Sequence, residues 1–295
     1  GLVKRDLKDE YLAKIVEKIG REAHIMGLSV APIEFRDGSV VQYSYITTHG
    51  SNGKVKNEPF DLYRFLAIRS PDLDGIAIKL FAEAISQSAQ FSKFVNSILN
   101  DDEKAYLAKK IGFVNSSNYM ADVVQRYGID DLQFAQAYAR TVGTLKAPLM
   151  HKFGVINTDR YAKNFIVGGF DTEEGLKLIG KPRTVIVDYD RLQHDLAQRD
   201  LVKLLEMPGR GFAFEQRERF PGMYFDEMGF DRSDKDEFIQ GMPIASFERH
   251  SAFVLSLIKK VAPYSRTKAE LEQTVAEIGY SFKMADSAGG RIEQM

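Results

Sequence analysis

The sequence predicts an α+β protein with a small sheet-plus-helix part at its start and a mainly helical remainder. Three observations lead there. Helical periodicity over residues 12–26 is followed by two β-rich runs around Asp37-Gly38. Apolar spacing of the helical kind then dominates residues 59–150. Two short apolar runs, 165–167 and 185–187, follow that helical region and are flanked by Asp and Asn.

Leu12, Ile15, Val16, Ile19, Ala23 and Met26 recur at the spacing of one helix face, and Gly27 stands where a helix end takes a left-handed residue. Residues 31–36 and 40–46 read as a hairpin, because the Asp-Gly pair between them is a turn signal. Residues 47–57, rich in Gly, Ser, Asn and Lys, read as a loop and set the boundary between a first part, 1–56, and a second, 57–295. Helical patterns follow at 59–69, 74–99, 102–111, 117–127 and 130–150. In the last of these, Phe134, Ala135, Tyr138, Val142, Leu145 and Leu149 form an apolar stripe. Residues 165–167 and 185–187 pair as an antiparallel hairpin, with 168–183 as its connection. Residues 207–236 mix aromatics with charges without periodicity and read as a solvent-facing connection. Its start, Pro208-Gly209-Arg210-Gly211-Phe212, lacks the strand and helix that would make glycine amides converge on a phosphate. Phe247, Val254, Leu255 and Ile258, then Leu271, Val275 and Ile278, mark two further helices.

Composition narrows the functional classes. With 295 residues and 44% apolar content, the chain can bury one large core or two lobes. A net charge of −1 gives no general attraction to nucleic acid or to an anionic membrane. No apolar run approaches the roughly 20 residues of a membrane span, and the first ten residues lack a signal-peptide core. A cytoplasmic location is expected, with action in a host cytosol after secretion as the alternative. The absence of Cys excludes disulfides, thiolate zinc sites and Cys nucleophiles, and the five His show no metal-ligand spacing.

The stretch from Gly154 to Val167, with the strand end at 185–190, carries the chemistry. Phosphoryl transfer from ATP needs a carboxylate to orient or deprotonate the attacking hydroxyl and hard oxygen ligands for Mg2+. Asp159, followed five residues later by Asn164 and then an apolar strand, supplies the carboxylate and one metal ligand from a single loop. A second strand ending on Asp188-Tyr189-Asp190 supplies the other. Asp188 follows the apolar run directly; Asp190 is the alternative. Lys163, next to Asn164, sits where many kinases place a loop lysine and would either steady a γ-phosphate or point to solvent, and Asn157 would brace the loop. Arg160 suits a structural carboxylate pairing better than a phosphate, and His151 a helix end better than catalysis.

Asn157-Thr158-Asp159-Arg160-Tyr161-Ala162-Lys163-Asn164-Phe165 resembles the catalytic loop of HipA-like serine/threonine kinases, and more loosely that of type II phosphatidylinositol 4-kinases. Asp9-Glu10-Tyr11-Leu12 through Gly27-Leu28-Ser29-Val30-Ala31-Pro32-Ile33-Glu34-Phe35 looks like that family's Asn-Glu-Tyr helix running into its Gly-Leu, Val-Ala-Pro and Glu segment, and residues 40–46 are similar to its hinge strand. The resemblance implies a two-lobed protein kinase-like fold with a reduced or incompletely represented N-lobe. It also implies ATP and Mg2+ as cofactors, a protein substrate, and an antitoxin-like or regulatory partner. Lys4 would pair with ATP phosphates and Glu10 would be its ion-pair partner, with Glu22 as the alternative. The sequence departs from the family in Tyr161, where the family has His, in a long interval between Asn164 and Asp188, and in having only three residues before Lys4. A glycine-rich strand pair is therefore either absent or outside the sequence given. The same residues also suit a lipid or small-molecule kinase, a pseudokinase scaffold, or a kinase fold with redirected ATP chemistry.

Overall fold

The computed structural model describes residues 2–44, 60–69, 71–110, 144–158, 161–171, 176–206 and 214–256, with short runs and single positions between 267 and 292. The expected boundary at residue 56, the helices at 117–127 and 130–143, Asp159 and Arg160, and the segment 207–213 lie outside them. The chain divides into two compact units, one of Gly1–Tyr106, Ile156–Leu192 and Phe212–Gly229, the other of Leu107–Val155, Gln193–Gly211 and Phe230–Met295.

The first unit opens with a three-stranded antiparallel sheet, β1 (Leu2–Asp6), β2 (Ile33–Asp37) and β3 (Val40–Ser44), in the order β1-β3-β2. The helix between β1 and β2, α1 (Glu10–Ile25), begins at Asp9, whose carboxylate accepts the Leu12 N–H at 2.9 Å. This satisfies one of the amide groups left free at a helix start. Its buried face is Ala13, Ile15, Val16, Ile19, Gly20 and Ala23; of the stripe expected from the sequence, Ile15, Val16, Ile19 and Ala23 are buried, Leu12 is half-buried and Met26 is exposed. Gly27 and Gly38 both take positive φ, +70° and +55°, ending the helix and turning the hairpin.

Three helices follow, α2 (Leu62–Ile68), α3 (Asp74–Ile98) and α4 (Asp101–Lys110), close to the expected spans. In the same unit β5 (Phe165–Asp171) and β6 (Lys177–Ile186) form a hairpin with Phe165 opposite Ile186 and Val167 opposite Thr184. The strands run well into the stretch expected to be their connection. Gly169, at φ +90°, absorbs a register shift between Gly168 and Phe170. The outer part of β6 is exposed, so it shows no alternation of apolar and polar residues. Two backbone hydrogen bonds of 2.8 Å tie β6 to the start of the sheet: Ala31 N–H to the Ile186 carbonyl, and Ile186 N–H to the Ser29 carbonyl.

The segment read as a connection at 207–236 contains a 15-residue helix, Phe214–Met228. The sequence shows no periodicity there, yet Phe220, Tyr224 and Phe225 are fully buried and the helix carries Pro221 in its interior. The Phe220 ring lies 5.2 Å from Phe81 of α3. Burial of three large aromatics outweighs the roughly 3 kcal/mol cost of an interior proline.

Between α4 and β5 come α5 (Lys146–Phe153) and β4 (Gly154–Thr158); after β6 come β7 (Leu192–Leu196) and α6 (Gln198–Leu205). The helix at 214–228 is α7, followed by α8 (Lys235–Gln240) and α9 (Met242–Ser256). The second unit holds Phe153, Phe230 and Phe238 in mutual ring contact at 5.3–5.8 Å. It also holds a buried charge cluster. Lys146 Nζ lies 2.6 Å from both Asp195 and Glu248, and Arg199 lies 2.5 and 3.3 Å from the same two carboxylates. Among the described residues, no helix is long and apolar enough to cross a membrane.

Candidate active site

The site is built at one end of the β5–β6 ladder, in the first unit. A 3-10 turn over Ala162–Asn164 leads into β5, with the Asn164 N–H donating to the Tyr161 carbonyl at 2.8 Å. On the opposite strand, the Val187 N–H donates to the Asn164 carbonyl at 2.8 Å. That bond fixes Asn164 and Asp188 as near neighbours across the hairpin end, as the two apolar runs implied. Asp188 takes φ +61°, a left-handed conformation that Asp tolerates better than most residues. The chain turns there, so Asp188 and Asp190 come to one place.

The group they meet is Arg5, on β1. Its Nη1 lies 2.6 Å from Asp188 Oδ1 and donates to both oxygens of Asp190 at 2.8 and 3.0 Å. The two aspartates differ in environment: the Asp188 side chain is 34% exposed and that of Asp190 only 1%. Burial pushes Asp190 above the usual carboxylate range, opposed by Arg5 and reinforced by the neighbouring Asp188 charge. Burial alone would lower the Arg5 guanidinium, but Asp190 and Asp188 outweigh it and hold it above its ordinary value. Tyr43 is likewise raised, first by burial and then by Asp190.

Tyr189, between the aspartates, is wholly buried and donates its hydroxyl to the Ala31 carbonyl at 2.8 Å. Its ring meets Tyr43 and Phe91, each at 5.5 Å. It also passes so close to α1 that a Cβ on Gly20 would stand 2.5 Å from its hydroxyl oxygen.

The strand leading to the loop is held from α3. Asn96 accepts the Ile156 N–H at 2.9 Å and donates to the Ile156 carbonyl at 2.8 Å, the pattern a neighbouring strand would supply. Thr184 of β6 is held from the same helix: Gln87 donates to its carbonyl at 3.1 Å and accepts its hydroxyl at 3.0 Å.

The remaining expected residues are placed as follows. Asp159 lies outside the described residues, as do the side chains of Lys4 and Asn157; Lys4 pairs in register with Gln42. Glu10 is exposed and forms a 3.2 Å ion pair with Lys14, and Glu22 is exposed. Lys163 is exposed with its Nζ 5.1 Å from the centre of the Tyr63 ring. His151 is exposed in the last turn of α5. Arg5, Asn96 and Tyr189 were not singled out in the sequence.

No model of a protein family matches the sequence, and comparison with curated proteins finds no match. Solved structures do match. An ethanolamine kinase from Plasmodium vivax aligns over 97% of this chain and 77% of its own at TM-score 0.61 and 9% identity. A choline/ethanolamine kinase family protein from Mesorhizobium loti aligns over 100% and 87% at TM-score 0.55 and 13% identity. The ADP-bound aminoglycoside phosphotransferase APH(2'')-Ib aligns over 94% and 84% at TM-score 0.50 and 13% identity. The chain has the protein kinase-like fold, with a small sheet-bearing part and mainly helical content. At these identities the likeness establishes the fold alone, and it does not single out the HipA-like branch.

Proposed function

We propose that the protein is an ATP- and Mg2+-dependent phosphotransferase acting on a hydroxyl group. The observation that carries this reading is the Val187–Asn164 hydrogen bond, which brings Asn164 and Asp188 together at the ladder end reached by the strand from Asp159. The donors fit a hard divalent cation: an amide oxygen and a partly exposed carboxylate, within a cluster of Asp188, Asp190 and Arg5 whose charges sum to −1. Among the described residues there is no group of three His, Cys, Asp or Glu arranged to hold a metal, so phosphate oxygens and water would complete the shell. Mg2+ would supply neutralisation of phosphate charge there.

In this reading Asn164 and Asp188 hold the cation, and Asp159 orients the acceptor hydroxyl and accepts its proton. Arg5 is the described cation of β1 that reaches the site. Lys4 keeps its proposed place toward the phosphates, and Lys163 its proposed place beside the γ-phosphate. The loop sequence supports a HipA-like Ser/Thr protein kinase with a protein acceptor and an antitoxin-like partner. A second reading, a small hydroxyl-bearing acceptor, is favoured by the likeness to choline/ethanolamine and aminoglycoside kinases.

The test is transfer from γ-labelled ATP with Mg2+ to a Ser/Thr-rich protein, to choline and ethanolamine, and to an aminoglycoside. Native protein should label one class, and Asp159→Asn and Asp188→Asn should lose about 100-fold or more. ATP binding without labelled product in any arm would refute phosphotransfer to these acceptors and favour a nucleotide-binding scaffold.

A further inference from the structure

We propose that Asp190 is the anchor of Arg5 and not a metal ligand, so that Arg5 and a divalent cation compete for the Asp188 carboxylate. The inference rests on the phosphotransferase reading of Asp188. Both Asp190 oxygens are engaged by Arg5 Nη1, at 2.8 and 3.0 Å, and the side chain is almost sealed from solvent. A cation that keeps water and phosphate oxygens in its shell needs an approachable carboxylate. Asp188 is approachable, and one of its two oxygens is the one Arg5 touches at 2.6 Å.

One guanidinium nitrogen thus bridges two carboxylates of unequal burial. The buried pair with Asp190 is the harder to break, because losing it leaves an uncompensated charge in the interior. When a divalent cation takes Asp188, Arg5 retains Asp190, stays beside the site, and has donors free for an anionic phosphate oxygen. Of the three α1 carboxylates, two are engaged elsewhere and the third, Glu22, is exposed. Glu10 pairs with Lys14, and Glu17 with Arg21 and Arg36. The anchor for the β1 cation therefore comes from the metal loop itself. Arg191 is exposed and contributes a weaker positive field that every variant below retains.

The experiment is Mn2+ binding, with the metal alone, followed by electron paramagnetic resonance on four proteins: native, Asp188→Asn, Asp190→Asn, and Arg5→Gln with Asp190→Asn. The double variant keeps the cluster charge at −1 and leaves no buried charge unpaired, and its melting curve verifies folding. Asp190→Asn alone should weaken Mn2+ binding about tenfold, because Arg5 then has only Asp188 as a partner. Adding Arg5→Gln should restore native affinity or exceed it. If the double variant binds as weakly as Asp190→Asn, then Asp190 is itself a ligand and the proposal falls. A different outcome, native protein and Asp188→Asn binding Mn2+ equally, would overturn the metal role of Asp188 and with it the competition.

Discussion

Replacing Gly20 by Ala tests how tightly helix α1 is mounted on the loop between the two aspartates. Alanine in a helix interior normally stabilises by about 0.5–1 kcal/mol relative to glycine. Here the new methyl would stand 2.5 Å from Ile33 Cδ1, 2.8 Å from Ile33 Cγ1 and 2.5 Å from the Tyr189 hydroxyl oxygen. Overpacking a close-fitted core costs roughly 1–3 kcal/mol. Displacing Tyr189 also strains its bond to the Ala31 carbonyl, about 1 kcal/mol more. The contact terms outweigh propensity, and the net expectation is a loss of about 1–3 kcal/mol. Gly75, in the first turn of α3, is the control: nothing lies within 4 Å of its added Cβ, so Gly75→Ala should stabilise by a few tenths of a kcal/mol or more. Urea denaturation of both variants beside the native protein reads the difference. Equal stabilisation of the two would refute the close approach of Tyr189 to α1.

Other residues give further expectations. Asn96→Leu removes the amide that stands in for a strand at Ile156 and should cost about 2 kcal/mol in denaturant melts, with labelled-phosphate transfer falling as well; unchanged transfer would mean β4 does not need that support. Lys146→Met leaves Asp195 and Glu248 with Arg199 alone in a buried setting, and the loss should approach 3 kcal/mol by thermal unfolding, partly recovered by adding Glu248→Gln. Burial alone would raise Asp195, but Arg199 and Lys146 outweigh it and hold it at about 2. Its folded value lies below the ordinary one, so its contribution is complete above about pH 4 and is lost as pH falls from there toward 2. The loss is about 2 kcal/mol, and Asp195→Asn should flatten the acid limb of a stability-versus-pH curve in that window.

Local rules carried much of the fold. Helix α1, its stop at Gly27 and the Gly38 hairpin were legible because capping, periodicity and positive-φ glycine act over a few residues. The pairing of Asn164 with the end of β6 was legible because two apolar runs of matched length have few other ways to be buried. What escaped depends on partners distant in sequence. Helix α7 was hidden because its segment mixes aromatics and charges without periodicity, and burial of Phe220, Tyr224 and Phe225, with Phe220 against α3, explains why it forms. Arg5 was passed over for Lys4 because both are basic, and its ion pairs with Asp188 and Asp190 join residues more than 180 positions apart. Lys146 sits beside the apolar Leu145 and Leu149, and its need for Asp195 and Glu248 is visible only once α5, β7 and α9 meet.

Helix α3 holds both sides of the site, through Asn96 on Ile156 and Gln87 on Thr184. Asn96 stands nine positions along the helix from Gln87, a rise of about 14 Å. A single residue inserted or deleted between them would rotate one by about 100° relative to the other. The outward face of that segment is free to drift in composition while its length is not, and descendants of this chain should accept almost any polar exchange there before they accept one indel.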